Sequence, residues 1–265
     1  MAETNLVALK GALNTDGVKN KFTEMLGKKA SGFSTSITSV VQNNDLLQKA
    51  DVNSIILAAA QAASLDLPIN PNLGFAAIIP FSDKKNNRCI ATFQIMRDGW
   101  VDLCLRTGQF EYISNEIVYE GELVEKNRFT DTYIFDETKR CSDKVIGYMA
   151  SFKLTNGYRK TIYMTIDEVK AHGMLYSQTF RKGFGLWKDN FHAMGLKTTL
   201  KMLLKKFAPK SIESIAKAIE SDQAAFEGDI YNSNPVYVDN GQTTHERSAD
   251  FTEFSEVEET TLNAE

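Results

Sequence analysis

Apolar and polar positions alternate along this chain in two distinct periods, and the change of period marks its organisation. Residues 1–30 show weak periodicity, and the spacing predicts only a short helix over 18–26 that contacts a neighbour or frays. From 35 to 49 a helical pattern places Ile37, Val40 and Val41 on one side. Asp51 or Asn53 then caps an Ala-rich helix over 54–64, which Pro68 and Pro71 stop by removing donors and disfavouring α geometry before each ring. After Gly74 the texture becomes β. Apolar runs at 75–81 and 89–95 flank the seven polar residues 82–88, which reads as a β-hairpin with a long basic tip. A helix over 98–107 ends at Gly108. Strands follow at 112–119, 128–135, 145–154 and 158–165, the last two around Asn156-Gly157, a strong hairpin signal. Thr165 and Glu168 form a capping box that opens another helix. Residues 177–185 read as a loop, 186–208 as one long helix ended by Pro209, and 211–226 as a final helix. Beyond Gly228 no period remains.

These elements predict an α+β fold: a small, mostly antiparallel sheet with a projecting β-hairpin, packed against several helices including a long basic C-terminal helix. Three regions follow: 1–34, an N-terminal oligomerisation or flexible segment; 35–227, the α+β core; and 228–265, an acidic flexible extension. Composition fits one large domain or two small ones, with 43% apolar and 24% charged residues in 265. No stretch approaches the roughly 18–20 uninterrupted apolar residues of a membrane span, and the first residues do not read as a secretory signal. Cys89, Cys104 and Cys141 are widely spaced and form no CxxC pair, so neither a disulfide framework nor a zinc knuckle is expected. A cytoplasmic setting follows.

Charge changes the picture more than composition does. The net charge is −4. Residues 1–180 balance, 181–210 carry eight Lys/Arg against Asp189 alone, and 211–265 are strongly acidic. A basic patch beside an acidic extension suggests a polyanion site plus a solubilising or partner-binding segment. Within 186–208, Leu196, Leu200, Leu203 and Phe207 share one arc at ~100° per residue, while Lys197, Lys201 and Lys205 recur every fourth position on an adjacent arc. Met194, Thr198 and Trp187 project near that row. A lysine row is commonly just a solvated face, but here no Glu sits four residues away to balance it. Trp187 and Phe191 read as core aromatics or as stacking platforms, and Lys84, Lys85 and Arg88 as a solubilising edge or as a cationic finger.

Catalytic patterns are missing. The three histidines are scattered, and neither HExxH nor G-x-S-x-G occurs. Gly195-Leu196-Lys197-Thr198 fails the P-loop pattern because Gly and Lys are not adjacent. Asp98 and Asp102 lie one helical turn apart, a weak metal site whose simpler reading is ion pairing with Arg97 or Arg106.

Three ordered blocks carry a resemblance: AAAQAASLDLPIN with GFAAIIP over 58–80, FQIMRDGWVDLCLRTG over 93–108, and LWKDNFHAMGLKTTLKMLLKKFAP over 186–209. Together they resemble the RecT/Redβ family of phage single-strand DNA annealing proteins, close to prophage RecT proteins of Gram-positive bacteria. Arg97 stands where the family often has a lysine. The resemblance implies ATP-independent pairing of complementary strands in a ring or helical filament, non-catalytic, needing no cofactor, with Mg2+ at most a modulator. It implies as partners single-stranded DNA and the duplex intermediate, further copies of the chain, a phage exonuclease and the host single-stranded-DNA-binding protein, in the bacterial cytoplasm and off the membrane. The expected groove is built from Lys197, Lys201 and Lys205, with Thr198, Trp187, Phe191, Gln94, Arg97, Lys188, Arg181 and Lys182 as walls. Lys153, Arg159 and Lys160 are further candidates, as is the hairpin tip with Lys84, Lys85 and Arg88 as a wedge between bases. The competing expectations are a metal-dependent nuclease using Asp98 and Asp102, and a passive single-strand adaptor.

Overall fold

The computed structural model describes residues 2–83, 86–127, 129–183 and 185–236. It is an α+β structure built from small antiparallel sheets and helices. Four N-terminal helices come first: α1 (Ala2–Leu13), α2 (Asp16–Leu26), α3 (Ala30–Gln42) and α4 (Val52–Ser64). The expectation of one marginal helix over 18–26 gives way to two helices built into the interior. Leu9, Leu13 and Phe22 are buried in the same cluster as Ile37, Val41 and the apolar length of α4. Both pack against α3 and α4, and only α1 lacks a clear apolar face of its own. Asp51 caps α4 as expected, its carboxylate accepting from Ser54 N at 2.8 Å.

Strands β1 (Ala76–Asp83) and β2 (Arg88–Ile95) form the expected hairpin, in register from Ala76 opposite Ile95 to Asp83 opposite Arg88. The ladder thus runs into the polar stretch 82–88 that the sequence pattern assigned to the tip; Lys84 and Lys85 lie outside the described residues. β2 is a central element. Its Ile90, Ala91, Phe93 and Ile95 are buried, α4 lies across it, and its far edge bonds to residues 223 and 224. Those bonds run from Gln223 N to Phe93 O (2.9 Å) and from Phe93 N to Ala224 O (3.1 Å).

After α5 (Arg97–Arg106) comes a three-stranded sheet in the order β3 (Phe110–Tyr119), β6 (Val145–Leu154), β7 (Arg159–Thr165). β6 and β7 join through Asn156-Gly157, where Gly157 takes φ +88°, as the hairpin signal predicted. Between β3 and β6 the chain makes a second hairpin, β4 (Leu123–Asn127) and β5 (Thr132–Phe135). One strand over 128–135 was expected; two short ones form, with Arg128 outside the described residues. The capping box of α6 (Ile166–Tyr176) is complete, with Thr165 and Glu168 bonding each other's backbone N–H.

The long helix expected over 186–208 is broken. Gly185 leads into α8 (Leu186–Asp189), Asn190 leaves helical geometry at φ −145°, ψ 66°, and α9 (Phe191–Phe207) begins there. Asn190 caps the new helix, its side chain accepting from Ala193 N. The preceding loop holds a short helix, α7 (Gln178–Arg181). The final helix, α10 (Glu213–Ser221), stops five residues short of the expected end. Asp222 turns the chain, and Ala225–Gly228 (β8) pairs with Ser233–Val236 (β9). Residues 229–236 are therefore part of the folded body, where a featureless linker was expected, and 237–265 lie outside the described residues.

Candidate nucleic-acid interface

Helix α9 rests on the β3–β6–β7 sheet, and Gly195 permits the approach. A Cβ at that position would stand 2.5 Å from Tyr148 Cζ, closer than any side chain tolerates. Leu200, Leu203 and Leu204 are fully buried. The three lysines of the row then descend the helix through three different environments. Lys197 is 5% exposed, with Nζ 3.3 Å from Gln94 Oε1 and 3.6 Å from Met96 Sδ. Burial pulls its pKa down to about 8, and the charge of Lys201 adds to the effect while Asp222 opposes it. Lys201 is partly exposed, ion-paired with the fully buried carboxylate of Asp222, and donates to Gln223 Oε1 at 2.7 Å. Lys205 is exposed.

The row is bordered by α6 through His172, whose pKa burial and then the charges of Lys201 and Lys205 hold down to about 4. That histidine is neutral near pH 7 and adds no charge to the face. Its ring lies 4.7 Å from the half-exposed ring of Tyr176. The other border is the end of β2 (Gln94, Met96) together with residues 222 and 223. Asp222 holds this border in place, since its Oδ1 also accepts from Ile95 N at 2.7 Å. Arg97 follows directly, exposed, with Nε bonded to Asp98 Oδ1 at 2.9 Å.

The remaining expected residues scatter. Trp187 is 7% exposed, packed on Phe180 (5.2 Å) and Phe191 (6.0 Å) in a second core cluster with Tyr148, Met164 and Val169. Phe191 packs there too, so the core reading of both aromatics fits the structure and the stacking reading does not; Thr198 is likewise buried. Arg181 donates to the carbonyls of Met174 and Leu175 and so closes the end of α6, while Lys182 and Lys188 are exposed. Lys160 lies 4.7 Å over the Phe207 ring at the end of α9 and pairs with Asp131 at 2.7 Å. Lys153 and Arg159 sit opposite each other in the register with Tyr112, and Lys153 is paired to Glu111. Side chains alternate along a strand, so these two point away from the face that Phe152 and Lys160 share with α9. Arg88 is bonded to Glu227 at 2.8 Å, beside the β8–β9 hairpin.

Sequence reasoning missed His172, Asp222 and Gln223. Nothing local marks them: each is brought to the row by an element distant in the chain. Asp98 and Asp102 are ion-paired to Arg97 and Arg106, as the simpler reading had it. Among the described residues no group of three or more His, Cys, Asp or Glu is placed to hold a metal ion, and no helix is long and apolar enough to cross a membrane.

The chain is 42% identical over 224 residues to the uncharacterized protein YqaK of Bacillus subtilis (strain 168), covering 84% of this chain and 75% of that protein. It is 26% identical over 193 residues to Protein RecT of Escherichia coli (strain K12), covering 70% of this chain and 68% of that one. The model of the RecT family matches residues 31–237, from the start of α3 to the end of the β8–β9 hairpin. The chain therefore belongs to the RecT family, a family of DNA annealing and recombination proteins.

Proposed function

We propose that this protein binds single-stranded DNA along the α9 face carrying Lys201 and Lys205, and pairs complementary strands there without ATP, as one subunit of a head-to-tail oligomer. The observation carrying this reading is the cationic row on a rigid, core-anchored helix, bordered by the neutral polar groups His172, Tyr176, Gln94 and Gln223. Such a surface holds a sugar-phosphate backbone without reading bases, leaving Watson–Crick edges open to a second strand. Exposed Lys182 and Lys188 add positive charge elsewhere on the surface. One subunit spans few nucleotides, so testing homology over a long strand calls for copies side by side, and heterologous contacts supply such an array. A phage exonuclease that makes the strands and a host single-stranded-DNA-binding protein fit as partners.

The test is a chain with Lys201→Ala and Lys205→Ala, titrated with fluorescent oligonucleotides of unrelated sequence across a salt series. Affinity should fall about equally for every sequence, and the slope of log K against log salt should drop by roughly 0.7 for each phosphate no longer neutralised. Annealing of complementary strands at the unaltered rate by this variant would place the DNA elsewhere.

A further inference from the structure

Charge reverses sharply just where the described chain ends. Residues 181–210 hold eight Lys/Arg and one acid, whereas residues 237–265 hold eight Asp/Glu and the single Arg247. Four of those acids (Glu253, Glu256, Glu258, Glu259) are interspersed with Phe251, Phe254 and Val257. The fold fixes where this acidic segment starts. Val236 stands opposite Ala225 in the antiparallel β8–β9 ladder. Two residues before Ala225 is Gln223, whose side chain accepts from Lys201 Nζ. At Val236 the strand direction therefore runs alongside residues 224 and 223, toward the lysine row. With strands ~4.8 Å apart and ~3.4 Å per residue, Val236, the last described residue, stands within roughly 20 Å of the Lys201 ammonium.

We infer that residues 237–265 occupy the Lys201–Lys205 face when no DNA is bound, as an intramolecular polyanion that an incoming strand displaces. The inference rests on the reading of that face as the DNA site. Twenty-nine residues reach at most about 100 Å when fully extended, ample for the distance to be covered. Attachment so close gives an effective concentration on the millimolar scale, enough for weak charge pairing to matter. Its mixed acidic and aromatic character also matches the surroundings of the row, where Met174, Leu175 and Tyr176 are exposed at the end of α6 next to His172. A long strand with many phosphates outcompetes the segment and a short one does not, so the device sets a threshold of strand length for engagement.

The experiment compares the full chain with a full-length variant carrying Glu253→Gln, Glu256→Gln, Glu258→Gln and Glu259→Gln, using a fluorescent oligonucleotide of ~20 nucleotides. At ~50 mM salt the variant should bind about tenfold more tightly, and the gap should close as salt approaches ~0.5 M, where screening shortens to a few ångströms. The gain should vanish when Lys201→Ala and Lys205→Ala are added, which ties it to the row. A peptide of residues 246–265 supplied in trans should inhibit oligonucleotide binding by the Gln variant, whereas its four-Gln counterpart should not. Equal, salt-sensitive binding by both chains, still weakened by the lysine substitutions, overturns the inference and leaves the DNA site in place. Failure of both chains to bind overturns the two together.

Discussion

Lys197 shows how far a helical repeat can be trusted. It shares an arc with Lys201 and Lys205, yet it is buried against Gln94, 103 positions earlier, by the approach of β2. The repeat places three lysines on one side of α9 and is blind to which of them a distant strand will cover. The consequence can be read in a pH titration. A lysine pKa lowered to about 8 in the folded chain, against about 10.4 in an unfolded one, means that the protonated form opposes folding. Between those values the unfolded state binds more protons, so stability rises with pH across that window and the opposition is full only below pH 8. Lys197→Met, similar in length and uncharged, should flatten the rise, and denaturant unfolding at pH 7.5 and 9.5 on both chains would show it as a smaller difference between the two pH values. It should also leave the salt slope of DNA binding nearly unchanged, since a buried ammonium touches no phosphate. Gly195 is the opposite case, a residue with no charge and no side chain on which the whole row depends. Gly195→Ala drives a methyl into the Tyr148 ring, and lifting α9 off its sheet should cost about 1–3 kcal/mol in thermal unfolding.

At the scale of elements, what was legible is what local chemistry decides. Asp51 capping α4, the Thr165–Glu168 box, the Asn156-Gly157 turn and the 76–95 hairpin each depend on residues close together in the chain, and each is found. What was not legible depends on tertiary partners. The apolar run from Leu186 onward continues in helical period through Asn190, but Trp187 has to reach Phe180 and Val169 while Leu200 and Leu203 reach the main core. One straight helix does not serve both clusters, so the chain breaks at the residue best able to cap a restart. Asn190→Ala should therefore lower stability by about 1 kcal/mol, measurable as a shift of the urea midpoint. The β8–β9 hairpin escaped notice for a similar reason, since its four-residue strands gain their place from the edge of β2 and carry too few positions to show a period. The same holds for the lysine row's border: Asp222 and Gln223 look like two more polar residues after a helix until the edge of β2 and Ile95 N bring them to α9.

Across the whole molecule, the N-terminal helices and the α9 face are coupled through one core. The family match begins at residue 31, after α1 and α2, which invites treating those helices as dispensable. Their burial argues otherwise. Leu9, Leu13 and Phe22 lie within the cluster that includes α4, and α4 in turn lies across β2, tied to it where Ala91 N donates to Ser54 Oγ at 2.8 Å. β2 carries Gln94 and Ile95, the groups that seat Lys197 and Asp222. Burying each such apolar side chain stabilises by about 1.5–3 kcal/mol, so removing three takes away an amount comparable with the whole stability of a typical domain, about 5–15 kcal/mol. A chain beginning at Ala30 should consequently lose its cooperative thermal transition and, with it, DNA binding. Circular dichroism melting beside oligonucleotide titration separates the possible causes. A truncated chain that melts cooperatively within a few degrees of the full one but no longer binds would assign α1 and α2 to the interface or to contacts between copies. Loss of the transition itself would make them the floor on which β2, and through it the lysine row, is held.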